Sequence, residues 1–197
     1  MSAQEVLQFK VTLLEVDPPV WRRILVPATY SFWDLHVAIQ DAMGWLDYHL
    51  HQFKLTHDQA RPTSIGIPDE DFPSGRETLP GWEIPVTEHI AQPGVKSTYE
   101  YDFGDGWEHE VLLEGTPGAK PEADYPICLA GERACPPEDC GGPYGYAEFL
   151  KAIADPRHDR HEELLDWVGG RFDPEAFDPK SIDFEDPQER WELTFRQ

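Results

Sequence analysis

The chain has 197 residues, enough for one sizeable core, and its 16 Lys plus Arg against 38 Asp plus Glu leave a formal net charge of −22. Charge of that sign repels phosphate backbones and offers no basic stripe, which argues against direct nucleic-acid binding over a broad face. No window reaches the roughly 18 uncharged apolar residues of a membrane span, and the amino terminus MSAQEVLQFK has no basic region ahead of an apolar core, so the expected setting is cytoplasmic, away from the membrane.

Residues 5 to 16 alternate, with Leu7, Phe9, Val11 and Leu13 on one face and Gln8, Lys10 and Thr12 on the other, the period of a half-buried strand. Asp17-Pro18-Pro19 ends it, and Val20 to Val26 predicts a second strand in an antiparallel hairpin with the first. Ser31 with Asp34 three residues on is an N-terminal capping signal; Phe32, Leu35, Ile39 and Met43 then share a helical face until Gly44 supplies the stop. From His49 to Thr56 alternation returns, predicting a third strand with His49, His51, Phe53 and Leu55 on one side. Residues 58 to 97 carry Pro62, Pro68, Pro73, Pro80, Pro85 and Pro93, a density that predicts a long, mostly irregular excursion.

Thr98 to Phe103 and Trp107 to Glu114 predict a second hairpin turning at Gly104-Asp105-Gly106, with Trp107, His109, Val111 and Leu113 together on one face. Pro117 to Pro143 reads as a loop. Tyr146, Phe149, Leu150 and Ile153 mark a helix closed by Asp155-Pro156, and His161, Leu164, Leu165 and Val168 mark another that ends at Gly169-Gly170. Phe172, Phe177 and Trp191 should tuck the acidic tail onto the core, with a last short helix from about Pro187. The sum is a single α+β domain over residues 1–197, a mixed or antiparallel sheet with helices packed on it.

Three candidate sites follow. Cys128, Cys135 and Cys140 lie within thirteen residues on a Gly/Pro-rich loop, and an odd, clustered set of thiols suits a reducing compartment better than a disulfide framework. With His109 as a fourth ligand they could hold a structural zinc; the alternative is that they are small buried apolar residues, or a redox pair. His49 and His51, two apart on a strand, could form half of a catalytic metal site with Asp47, Asp102 or Asp105 as the third ligand, though strand histidines more often serve structure. The Asp102/Asp105 and Glu138/Asp139 pairs read first as turn and loop anchors. Trp82, alone in the Pro/Gly segment, is a candidate partner-binding anchor. No nucleophile elbow, phosphate loop or His-Glu-x-x-His helix is present in the sequence.

The blocks FKVTLLEVDPPVWRRILVP, FWDLHVAIQDAMGW, HLHQF, YEYDFGDGWEHEVLLE and CLAGERACPPEDCGGPYGYAEFL, in this order and spacing, resemble the plasmid pRiA4b ORF-3-like family over about residues 5 to 178, leaving an acidic C-terminal extension at 179–197. The resemblance implies an α+β fold with a mixed sheet and a relationship to TnpR-like passenger proteins of bacterial insertion elements; it implies no established activity. A serine resolvase would need a nucleophilic serine in an arginine-rich site and a basic DNA-binding segment, and neither is visible here. The leading expectation is therefore a non-enzymatic protein-interaction or accessory module of mobile or plasmid-borne genes, with an unknown protein partner and a structural zinc at Cys128, Cys135, Cys140 and His109. The rivals are a metal-dependent hydrolase using His49 and His51, and an acidic mimic of DNA.

Overall fold

The two hairpins form in the register their alternation requires. In the computed structural model, which describes residues 5–55, 63–68 and 78–196, β1 (Val6–Leu13) pairs antiparallel with β2 (Trp21–Pro27), Phe9 opposite Ile24. Ser31 caps α1 (Phe32–Met43): its hydroxyl accepts from the Asp34 N–H while the Asp34 carboxylate accepts from the Ser31 N–H, and Gly44 closes the helix at φ 88°. Then come β3 (His51–Leu55), β4 (Thr63–Gly66), β5 (Thr78–Pro80), β6 (Lys96–Tyr101) and β7 (Trp107–Gly115). β8 (Ile127–Glu132), α2 (Gly142–Ala154), α3 (His161–Trp167) and α4 (Pro187–Phe195) complete the described elements.

The eight strands make one sheet in the order β5-β4-β3-β6-β7-β1-β2-β8, antiparallel throughout except for the β4–β5 pair. The fold is α+β, as the sequence predicts. The sheet's inner face, with Phe9, Val11, Leu13, Ile24, Phe53, Tyr99, Trp107 and Val111, closes on Phe32, Leu35, Ile39 and Met43 of α1. Nearly the whole of α1 is buried, because α4 covers the side away from the sheet: the Trp33 Nε1–H donates to the Pro187 carbonyl, and Arg190 binds Asp41 at 2.6 Å. None of the described helices is long and apolar enough to cross a membrane.

Two regions depart from the sequence reading. The Pro-rich excursion supplies β4, β5 and a short helical turn at Val86–Glu88, while residues 58–62 and 69–77 of it lie outside the described residues. The 117–143 loop contains β8, an edge strand on which Cys128 is the one buried residue, so it shows no alternation for a sequence to reveal.

Candidate functional site

One end of the sheet gathers the polar residues. β6 stops at Tyr101, opposite His51 on one side and Trp107 on the other, and the chain turns through Asp102 to Gly106 before β7 begins. The Asp102 carboxylate accepts at Oδ1 from the N–H groups of Gly104 (2.9 Å) and Asp105 (3.3 Å), the local turn bonding that the sequence leads one to expect. That leaves Oδ2 without a role in the turn. The loop that opens α2 docks on this turn: Gly141 N–H donates to Asp105 Oδ2 at 3.0 Å, and Gly142, at φ 69°, runs so close that a Cβ there would stand 2.2 Å from the Asp105 carbonyl oxygen. Glu138 and Asp139 thereby arrive beside Asp102.

His49 completes the group. The predicted strand begins only at His51, because Asp47 takes a left-handed φ of 58° and pairing with β6 ends at His51–Tyr101; His49 lies in the approach instead. Its Nε2 stands 3.1 Å from Asp139 Oδ1, 3.6 Å from Asp102 Oδ2 and 4.0 Å from Glu138 Oε2, yet it has no solvent access and no hydrogen-bond partner. The 3.1 Å contact with Asp139 is close enough for an ion pair but is not aligned as a hydrogen bond. Glu138 is held in turn by the Leu46 N–H (2.8 Å) and the Tyr101 hydroxyl (3.2 Å), whose pKa burial and the Glu138 charge push upward, so that it donates. Asp102 and Asp139 share left-handed backbone, φ 53° and 55°, conformations that aspartate tolerates better than most residues and that concentrate at functional sites.

His51 belongs to a different group, so the pairing expected of the two histidines does not form. Its ring stacks on His36 with centroids 3.4 Å apart and planes 9° from parallel. A directional chain runs beside it: Gln40 Nε2–H donates to the Tyr99 hydroxyl, Tyr99 to His36 Nδ1 (2.8 Å), and His36 Nε2–H to Asp47 Oδ1 (3.0 Å), while Arg190 Nη1 lies 3.9 Å from Asp47 Oδ2. Sequence reasoning missed His36; its trace is the His36/Gln40 pair, two polar residues one turn apart on a helix otherwise largely apolar. Burial first, then the neighbouring His36, holds the His51 pKa well below its ordinary value.

Among the described residues two sets bring three metal-type donors within 4.8 Å: His36 with Asp47 and His51, and His49 with Asp102 and Asp139. The first suits an ion poorly. Both His36 nitrogens are engaged, and an ion midway between two rings stacked at 3.4 Å would sit 1.7 Å out of each ring plane, half that spacing, far from the in-plane lone pairs at its bond length of about 2.1 Å. The second set has free oxygens, a free imidazole nitrogen and partial access to solvent.

The thiol set with His109 does not assemble. His109 lies on β7 and Cys128 on β8, with β1 and β2 between them, a separation of three steps of about 4.8 Å, roughly 14 Å. His109 is sealed in the core with Nδ1 on the Tyr99 carbonyl, and burial raises the pKa of all three thiols, Cys140 to about 12, with the Arg22 guanidinium opposing the rise at Cys128 and Cys135. Trp82 is half-buried against Trp191 and Phe195 of α4, its rings 6.2 and 5.1 Å away. Among the exposed apolar residues, Leu46, Tyr48, Leu50 and Phe103 adjoin the His49 group in sequence or by direct bonds and Tyr144 follows it on α2, while Leu193 lies on α4.

Fold and site together define the class, an α+β protein built on one mixed sheet with a histidine–carboxylate group at the sheet's end. The chain belongs to the plasmid pRiA4b ORF-3-like family, whose profile matches residues 5–181, so that α4 lies beyond the match. It is 43% identical over 166 residues, 83% of this chain and 81% of the relative, to the uncharacterised protein y4hQ of Sinorhizobium fredii. The crystal structure of MM3350 from Methanosarcina mazei Go1, a protein of unknown function, is similar at a TM-score of 0.82 and 37% identity, covering 93% of this chain and 100% of that one.

Proposed function

We propose that this chain is a metal-centred binding module that holds one divalent ion at His49, Asp102 and Asp139, with Glu138 alongside, and turns the ion's remaining coordination positions toward solvent. The observation that carries this reading is His49 Nε2, dry, without a hydrogen bond, and surrounded by carboxylate oxygens. A lone pair there would face only other lone pairs, so a hydrogen or a cation stands among them, either the ring's own N–H or a shared ion. The spacing favours the ion: donors about 2.1 Å from one metal stand roughly 3.0 Å apart at right angles and 3.4 Å apart in a tetrahedron, close to the 3.1 and 3.6 Å found from His49 to Asp139 and Asp102. One imidazole with two or three carboxylates suits zinc, manganese or iron(II) better than a thiophilic ion.

Zinc thus stays in the account, moved from the cysteines to His49. The surround of Leu46, Tyr48 and Phe103 fits a surface that meets a partner or ligand around the ion. Glu138 favours a second reading, hydrolysis: a carboxylate next to an ion that keeps a water is placed to take that water's proton. Calorimetric titration of chelator-stripped protein with Zn2+ and Mn2+ tests the first reading. One site per chain is expected, weakened at least about 100-fold in His49→Ala and in Asp102→Asn and unchanged in Cys140→Ser. Native affinity in His49→Ala, or no uptake by the wild type, would sink it. For hydrolysis, Glu138→Gln should keep the ion and lose turnover of ester and phosphodiester probes; equal turnover removes the second reading.

A further inference from the structure

We propose that the groove between α2 and α3 binds a small organic cation, an amine carrying an aromatic or N-alkyl group. The groove encloses about 540 Å3, within the range of small-molecule sites of roughly 300–1,000 Å3. Phe149 and Leu164, both buried, belong to its lining, together with Tyr144 and Trp167, which are 78% and 48% exposed. Large aromatic rings left open to water on a chain of this polarity mark a place where something covers them. Trp167 is also braced, its ring 6.0 Å from Phe149 and nearly perpendicular to it, so one indole face is fixed at the groove without a ligand.

The charge of the lining selects the ligand's sign. Asp139, Glu148 and Glu163 line it against one cation, Arg160, and Arg160 is already bound to Glu163 at 2.9 Å. Glu148 shares Lys151, which is not among the lining residues, and the chain as a whole carries −22. A cation therefore gains from both features, the acidic excess of the lining and the faces of Tyr144 and Trp167, whereas an anion meets three carboxylates against the single guanidinium of Arg160, itself paired with Glu163; a ring quadrupole adds to this only for positive charge. A small molecule fits better than a protein surface because Phe149 and Leu164 form a floor recessed between two helices beneath the open rings of Tyr144 and Trp167.

The proposal does not require the metal reading, although Asp139 belongs to both sites, and the test keeps them apart. Phenethylamine, 2-phenylethanol and phenylacetate, alike in shape and different in charge, are titrated calorimetrically into the full chain and into His49→Ala. Saturable binding of the amine is expected in both, with the alcohol at least about tenfold weaker and the acid not bound. Trp167→Ala and Tyr144→Ala should each weaken the amine about tenfold, and Tyr144→Ala should melt close to the wild type, since that side chain is 78% exposed. No binding of the amine, equal binding of all three compounds, preference for the acid, or undiminished binding in both aromatic variants would overturn the proposal. So would a lysine-rich peptide that binds where phenethylamine does not, since it would assign the groove to a protein partner. Loss of the amine in His49→Ala alone would tie the groove to the metal centre and also overturn it.

Discussion

Arg22→Met should lower the free energy of unfolding by about 1.5–3 kcal/mol, the range for losing hydrogen bonds from a charged donor to buried carbonyl acceptors. Arg22 is 2% exposed and, among the described residues, pairs with no carboxylate. Backbone carbonyls take that role: Nε–H donates to Ala42 at the end of α1 (2.8 Å), and Nη1–H donates to Trp21 (2.9 Å) and to Glu132 at the end of β8 (3.0 Å). The guanidinium also lies 4.0 Å over the Phe177 ring of the tail. One side chain thus ties the helix, the edge strand and the C-terminal segment together. Methionine keeps the stem's volume and leaves those acceptors in a place where water replaces the donors poorly. Urea denaturation measures the cost, and a loss under about 1 kcal/mol would mean the guanidinium is not the clamp described.

Acid should destabilise the protein steeply between about pH 6.5 and pH 4. His109 is 0% exposed, and burial brings its pKa down to about 4, partly offset by the Tyr99 and Trp107 backbones. An unfolded histidine takes up its proton near pH 6.5, while the folded one refuses it until about 4. Between those values the unfolded chain binds more protons, so stability is complete above about pH 6.5 and is lost as pH falls toward 4. A difference of about 2.5 pKa units is worth about 3 kcal/mol, and His51, lowered in the same direction, adds to it. Asp34 and Asp41, raised by burial, act the opposite way at the acid end. His109→Gln isolates the histidine term: the slope of stability against pH should shrink in the variant, and an unchanged slope would refute the assignment.

Arg22 also shows how much the sequence discloses. In VWRRILV it occupies the buried register between Val20 and Ile24, so the strand pattern places a charge on an apolar face, but its acceptors come from α1 and β8, which no local pattern connects. The hairpins, α1 with its cap and the last helix are legible because each is fixed by near neighbours. β8 and β5 are not, since an edge strand half open to solvent carries little alternation. For the site, Asp102 and His49 stand among the sequence candidates, while Glu138 and Asp139 read only as loop anchors. The docking of the α2 loop on the Asp102–Gly106 turn, through Gly142 and Asp105, is what brings them together, and that contact is long-range. His49 and His51 are separated by a strand that starts two residues later than its alternation suggests.

The metal centre is tested most directly by elemental mass spectrometry on untagged protein purified without chelator, comparing wild type with His49→Ala and Cys128→Ser. Close to one transition-metal ion per chain is expected in the wild type and in Cys128→Ser, and none in His49→Ala. An ion kept by His49→Ala and lost from Cys128→Ser would place the metal on the thiols and contradict the assignment to His49.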